Sequence, residues 1–160
     1  MRESALIDIG QIDEIVFKYS DASGIDANSI PSGNWVCMGL ANKDFDVHIF
    51  ENFVTQVLNK GLVEFMGIGQ FGEKLHDCFD EVVVMEGINN NTSYDIVTLW
   101  GGEKEDDLAN AIYDSITISR FDESSSSQKQ VICISFDGEN YSDTLIRIIN
   151  KLNTGWIPDE

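Results

Sequence analysis

From Asn34 onward the hydrophobic pattern switches repeatedly between short apolar runs and stretches with helical spacing, and this alternation restricts the fold more than any other feature of the sequence. Trp35 to Leu40 has no polar side chain, as a strand covered on both faces requires. Behind it Ile49, Phe50, Phe53, Val54, Val57 and Leu58 recur at helical spacing, and Gly61 is placed to end that helix in a left-handed cap. Leu62 to Ile68 reads as a second strand. A second helix runs from Glu73 to about Val83, with Leu75, Phe79, Val82 and Val83 on its inner side; the strand propensity of Val82-Val83-Val84-Met85 leaves its end open. Asp95 to Trp100 makes a third strand. Acids at Glu103, Glu105, Asp106 and Asp107 then favour the start of a helix carrying Leu108, Ala111, Ile112 and Ile116. Gln130 to Phe136 is the fourth strand, and Ser142 is placed to cap a last helix with Leu145, Ile148, Ile149 and Leu152 inward and Gly155 at its end.

Strands alternating with helices of this length predict a mostly parallel sheet of four or five strands, right-handed crossovers and helices on both faces. The expected class is therefore α/β: a three-layer Rossmann-like or flavodoxin-like domain over residues 34–160. Residues 1–33, with Ile7, Ile9, Ile12 and the run Glu14 to Tyr19, are an N-terminal segment expected to add an edge strand. At 160 residues and 42% apolar content the chain is long and apolar enough for one packed core.

Charge sets the partner classes. There are 28 acids against 10 bases, a net charge of −18, so DNA, RNA and anionic membranes are expected to be repelled and cationic partners remain open. No run approaches the roughly 18 apolar residues of a membrane span, and Met1-Arg2-Glu3-Ser4 does not lead into a signal-peptide core, so the expected location is the cytoplasm. Cys37, Cys78 and Cys133 are odd in number and widely spaced, as reduced residues are, with Cys37 and Cys133 inside strand-like runs. No metal and no cofactor are expected: neighbours such as His76, Asp77 and Cys78 point about 100° apart on a helix and do not converge on one ion.

In an open parallel sheet the loops leaving the carboxyl ends of the strands share one rim. Sorted this way, thirteen acids and three lysines fall on the rim or the helix starts behind it, more acids than four helix dipoles need. Gly67-Ile68-Gly69-Gln70-Phe71-Gly72 spells the dinucleotide fingerprint, yet it follows the second strand rather than the first and Glu73 and Asp77 surround the would-be phosphate site. Its glycines are expected to serve a tight turn and close packing. Only two histidines are present, His48 and His76, and no nucleophile with a base is apparent, so a non-enzymatic role is expected.

Three strings are familiar: Trp35-Val36-Cys37, the stretch from Gly61 to Gly69, and Ile96 to Trp100 followed by Asp106-Asp107-Leu108-Ala109-Asn110-Ala111. They resemble a family of small bacterial proteins of unknown function, over about Asn34 to Asn153. The resemblance implies a fold and no active residues, and the chain departs from it at Gly101, where relatives tend to have His, and at Ile68-Gly69, which replaces Trp-Gly. In general character the chain is also similar to the acidic immunity proteins of bacterial toxin systems, including contact-dependent growth inhibition.

The function expected is that of an acidic binding protein, most concretely an immunity protein covering the active site of a cognate basic, nuclease-type toxin. Its contact residues are expected to be the aromatic anchors Phe71 and Trp100, ringed by Glu103, Glu105, Asp106, Asp107, Asp137 and Glu139. The alternatives are a magnesium- or small-molecule-binding enzyme or sensor, and a DNA mimic.

Overall fold

The computed structural model describes residues 6–23, 25, 27–30, 32–101, 105–117, 121–124 and 126–158, with only the backbone of 27 and 105–107. Among them lie six strands, one short 3-10 turn at Ala27–Ser29 and four α-helices. In chain order these are β1 (Ile7–Ile12), β2 (Ile15–Asp21), β3 (Trp35–Leu40), α1 (Val47–Val57), β4 (Leu62–Ile68), α2 (Gly72–Asn90), β5 (Val97–Gly101), α3 (Glu105–Thr117), β6 (Gln130–Ser135) and α4 (Ser142–Leu152). The sheet runs β1-β2-β6-β3-β4-β5. All its pairings are parallel except β1 with β2.

The α/β class and the four strands after Asn34 are as expected, but the sheet is mixed and has six strands rather than four or five. The difference lies in the N-terminal segment. Instead of one edge strand it forms a hairpin, turned at Asp13 with φ of 51°, and its second strand is interior, between β1 and β6. Ile15, Phe17 and Tyr19 are buried there on alternate positions, a period-2 pattern that Lys18 interrupts in sequence but not in space.

β3 and β6 are buried at every position, so each needs cover on both faces. α3 and α4 supply one layer, packing Leu108, Ile112, Leu145 and Ile149 against Val36, Met38, Val131 and Cys133. α1 and α2 supply the other, with Phe50, Val54, Leu75 and Phe79 against Cys37, Phe65, Ile132 and Ile134. This second layer is aromatic. Phe65 and Phe79 stack with centroids 4.4 Å apart, and Phe50 meets Phe136 edge-on at 4.8 Å. Cys37 and Cys133 are free and buried, and burial pushes the Cys133 thiol up to about 12.

Three local expectations are corrected. α2 continues past Val83 to Asn90, ending on a left-handed Asn91, so the strand propensity of the valines does not decide its end; Val82 is buried and Val84 is exposed. α1 stops at Val57 with a right-handed cap at Leu58, so Gly61 is not its cap. Its φ of +84° instead serves the turn into β4, where a Cβ would lie 2.4 Å from the Gly33 Cα. Ser142 is the first helical residue of α4 rather than its cap, and its N–H and Oγ both donate to Asn140 Oδ1.

The glycine-rich turn is used for packing, as expected. A Cβ on Gly67 would lie 2.3 Å from the Gly72 carbonyl oxygen, and one on Gly72 would lie 2.5 Å from that of Gly67, so α2 starts almost in contact with β4. Gly67→Ala is therefore expected to lower stability by about 2 to 3 kcal/mol, read as a lower urea midpoint at unchanged m. Gly101→Ala, where a Cβ meets nothing within 4 Å, should stay within about 0.5 kcal/mol of the parent. Equal losses at both positions would contradict the packing account.

Candidate functional site

β3 and β6 are parallel neighbours, but α1 leaves β3 for one face of the sheet and α4 leaves β6 for the other. The crevice between their carboxyl ends is therefore a topological switch point, the place where an open α/β sheet offers backbone N–H groups to a ligand. Here that place is filled by the chain's own side chains. Asp137 Oδ2 accepts from the N–H groups of Asn42 at 2.7 Å and Lys43 at 3.1 Å and from the Tyr141 hydroxyl at 2.6 Å. Its Oδ1 accepts from Glu139 N–H at 3.0 Å and from the Ser135 hydroxyl at 3.1 Å. A second tyrosine, Tyr19 of β2, accepts from Tyr141 N–H at 3.0 Å and donates to the Glu139 carbonyl at 3.3 Å. Asn42 Oδ1 accepts from Gln70 N–H, tying the loop after β4 to the same cluster.

Burial works to raise the Asp137 carboxyl, but the Tyr141 hydroxyl and the three backbone N–H groups outweigh it and hold it below the usual carboxylate range. Burial, followed by the hydrogen bond to Asp137, pushes the Tyr141 hydroxyl up, so it stays a donor. Asp137 is thus a fixed anion standing where a bound anion would otherwise be held. It ties the loops after β3 and β6 together.

Of the anticipated contact residues, Phe71, Trp100, Asp137 and Glu139 have described side chains. Asp137 is spent on the crevice, and Glu139 is ion-paired with Lys43. Phe71 is half-buried against the aromatic layer and stands at the N-cap before α2. Glu103 lies outside the described residues. Glu105, Asp106 and Asp107 form the first turn of α3, and their side chains lie outside the described residues too. Trp100 is 52% exposed at the end of β5.

What surrounds Trp100 was not anticipated. Thr98 pairs in register with Phe65 and touches His76 of α2, so Thr98 and Trp100 point to the α2 face while Val97 and Leu99 point to the other. α2 packs along β4 and β5. Its outer side carries Asp77, Asp80 and Glu81, then the exposed Val84, Met85 and Ile88, the last 69% exposed. Asp77, Asp80, Glu81, Val84 and Met85 line a shallow hollow of about 340 Å³. A larger one of about 740 Å³ follows, between Val83, Val84, Gly87 and Ile88 and the segment Asn91 to Tyr94. The apolar signal was present in sequence as Val84, Met85 and Ile88 at helical spacing, but it becomes visible only once α2 is known to extend beyond Val83.

His76 is the nearest approach to a catalytic group. Its Nδ1 lies 3.0 Å from Asp77 Oδ1, while Nε2 lies 3.4 Å from Asp80 Oδ2 and from Thr98 Oγ1. Burial raises the neighbouring Cys78 thiol, the opposite of activation. Among the described residues no cluster of three or more His, Cys, Asp and Glu side chains is arranged to hold a metal, and no helix is long and apolar enough to cross a membrane.

Comparison of the chain with family models, with curated proteins and with solved structures returns no match.

Because the Asp137 carboxyl is depressed in the folded state, its contribution is full above its unfolded value, about 3.9, and is lost as pH falls through the lower folded one. Asp137→Asn is expected to cost about 2 kcal/mol at neutral pH by leaving amide donors without their acceptor. That gap should narrow below about pH 4, where the parent loses the same interaction. Urea titrations at pH 7 and pH 3 check it. A gap of equal size at both values would show that the charge is not what holds the crevice.

Proposed function

We propose that the chain is a non-enzymatic binding protein for a cationic protein, acting in the cytoplasm, and that the cognate partner is a basic, nuclease-type toxin which it neutralises as an immunity protein. One observation carries the reading: large apolar side chains, Trp100 and the Val84, Met85 and Ile88 stripe, stand uncovered beside carboxylates on a chain of net charge −18. Apolar anchors ringed by like charges are what a desolvating contact steered by electrostatics needs. The frame is compatible with a Rossmann- or flavodoxin-like arrangement, which hosts many chemistries and does not select among them. The filled switch-point crevice favours binding through an outer surface over a small ligand at the rim.

The acids that do the steering are Asp77, Asp80 and Glu81, beside the apolar stripe. Changing all three to Lys is expected to slow association with the captured partner by about tenfold or more at low salt, with little effect once salt screens the field. The test is affinity capture from the native cell at low and high salt, followed by assay of the partner's nuclease activity with and without one equivalent of the chain. A basic nuclease that is silenced by the parent and bound slowly by the triple variant is the expected result. Capture of no basic protein, or a partner whose activity the chain leaves intact, would overturn the proposal.

A further inference from the structure

The two edges of the sheet are not alike. β1 is broken by a bulge between Asp8 and Gly10 and carries a charge at Asp8, both devices that keep an edge from pairing with foreign strands. β5 has neither. Its sequence, Val97-Thr98-Leu99-Trp100-Gly101, holds no charge and no proline, its register with β4 is unbroken, and among the described residues no strand lies beyond it. The Gly101 carbonyl accepts from Gly69 N–H, so the backbone groups of residues 97, 99 and 101 face β4 and those of Thr98 and Trp100 face outward.

We infer that the outer edge of β5 is a strand-addition site that takes an extended segment of alternating basic and apolar residues from a partner protein; the inference rests on the binding role proposed above and names its mode. Side chains of an added strand alternate between faces as those of β5 do. On the α2 face they meet Trp100, Asp77 and Asp80, which suits Arg or Lys through charge and cation–π contact. On the opposite face they meet Leu99, 41% exposed, which suits an apolar side chain. Charge decides the occupant. From Leu62 to Gly101 the chain has one lysine, Lys74, and its ammonium is held by Asp44. A second copy would bring the acids of two α2 helices together, whereas a basic strand neutralises them.

The test uses a short fluorescent peptide of alternating arginine and valine, and the same peptide N-methylated along its backbone, titrated into the full chain at low salt. Pairing with β5 requires the peptide N–H groups; attraction by charge alone does not. The methylated peptide is expected to bind at least about tenfold more weakly. Thr98→Pro, which removes an outward N–H and leaves the β4 ladder intact, should lose the same factor, and Thr98→Val should stay within about twofold of the parent. Equal binding of both peptides, no binding of the unmethylated one, or full affinity in a natively folded Thr98→Pro chain would overturn the inference. So would a dimer of the parent, by light scattering, that Thr98→Pro returns to monomer, since it would give the edge to a second copy. A basic partner captured alike by parent and Thr98→Pro leaves the binding role standing and removes the edge; peptide binding without any basic partner in the cell does the reverse.

Discussion

The structure depends on two adjacent strands that have no polar face. β3 and β6 are buried along their whole length, and a strand of that kind is stable only when helices cover it on both sides. Right-handed crossovers then send α1 and α2, after β3 and β4, to one face and α3, after β5, to the other, where α4 joins it after the last strand. The divergence of α1 and α4 opens the crevice between β3 and β6. The site where such a sheet would take a ligand is therefore a direct consequence of how these two strands are buried.

Asp137 closes that crevice from within. By accepting from the loops on both sides it removes the backbone donors that make a switch point receptive, and the tyrosines at 19 and 141 pack the remaining polar groups into one network. The same economy applies to other acids. Asp46 caps α1, Asp44 holds Lys74, and Glu139 holds Lys43. The net charge thus overstates the acidity that these three offer a partner at the rim; among the described residues Asp77, Asp80 and Glu81 lie along the outer side of α2, next to an apolar stripe and a strand edge with no described strand beyond it.

Most of the frame was legible because continuous apolar runs and helical spacing are local signals. The four strands after Asn34 and the helices between them come directly from that pattern. The N-terminal hairpin was harder to see: Lys18 and Asp21 dilute the apolar signal of β2, and only its burial between β1 and β6 shows it to be interior. α2 outran its expected end because the strand propensity of the valines at 82 to 84 is a weak local preference; Val82 is buried on the inner side of the helix, whereas Val84 is exposed. The candidate site was less legible still. Residue type marked Trp100 and Phe71 alike as aromatics without telling the exposed one from the half-buried one, and Asp137 was indistinguishable in sequence from a surface acid; its role depends on N–H groups some 95 residues away. The unpaired side of β5 is a property of strand order, which no local pattern carries.

In the proposed binding mode the crevice stays closed and a partner is met by the β5 and α2 side. Hydrogen–deuterium exchange of the chain, free and bound to its captured partner, tests both parts at once. Added protection on binding is expected at residues 97–101 and along 76–88, with 41–45 and 136–141 unchanged. Protection appearing at the loops around Asp137 while β5 exchanges as in the free chain would contradict it.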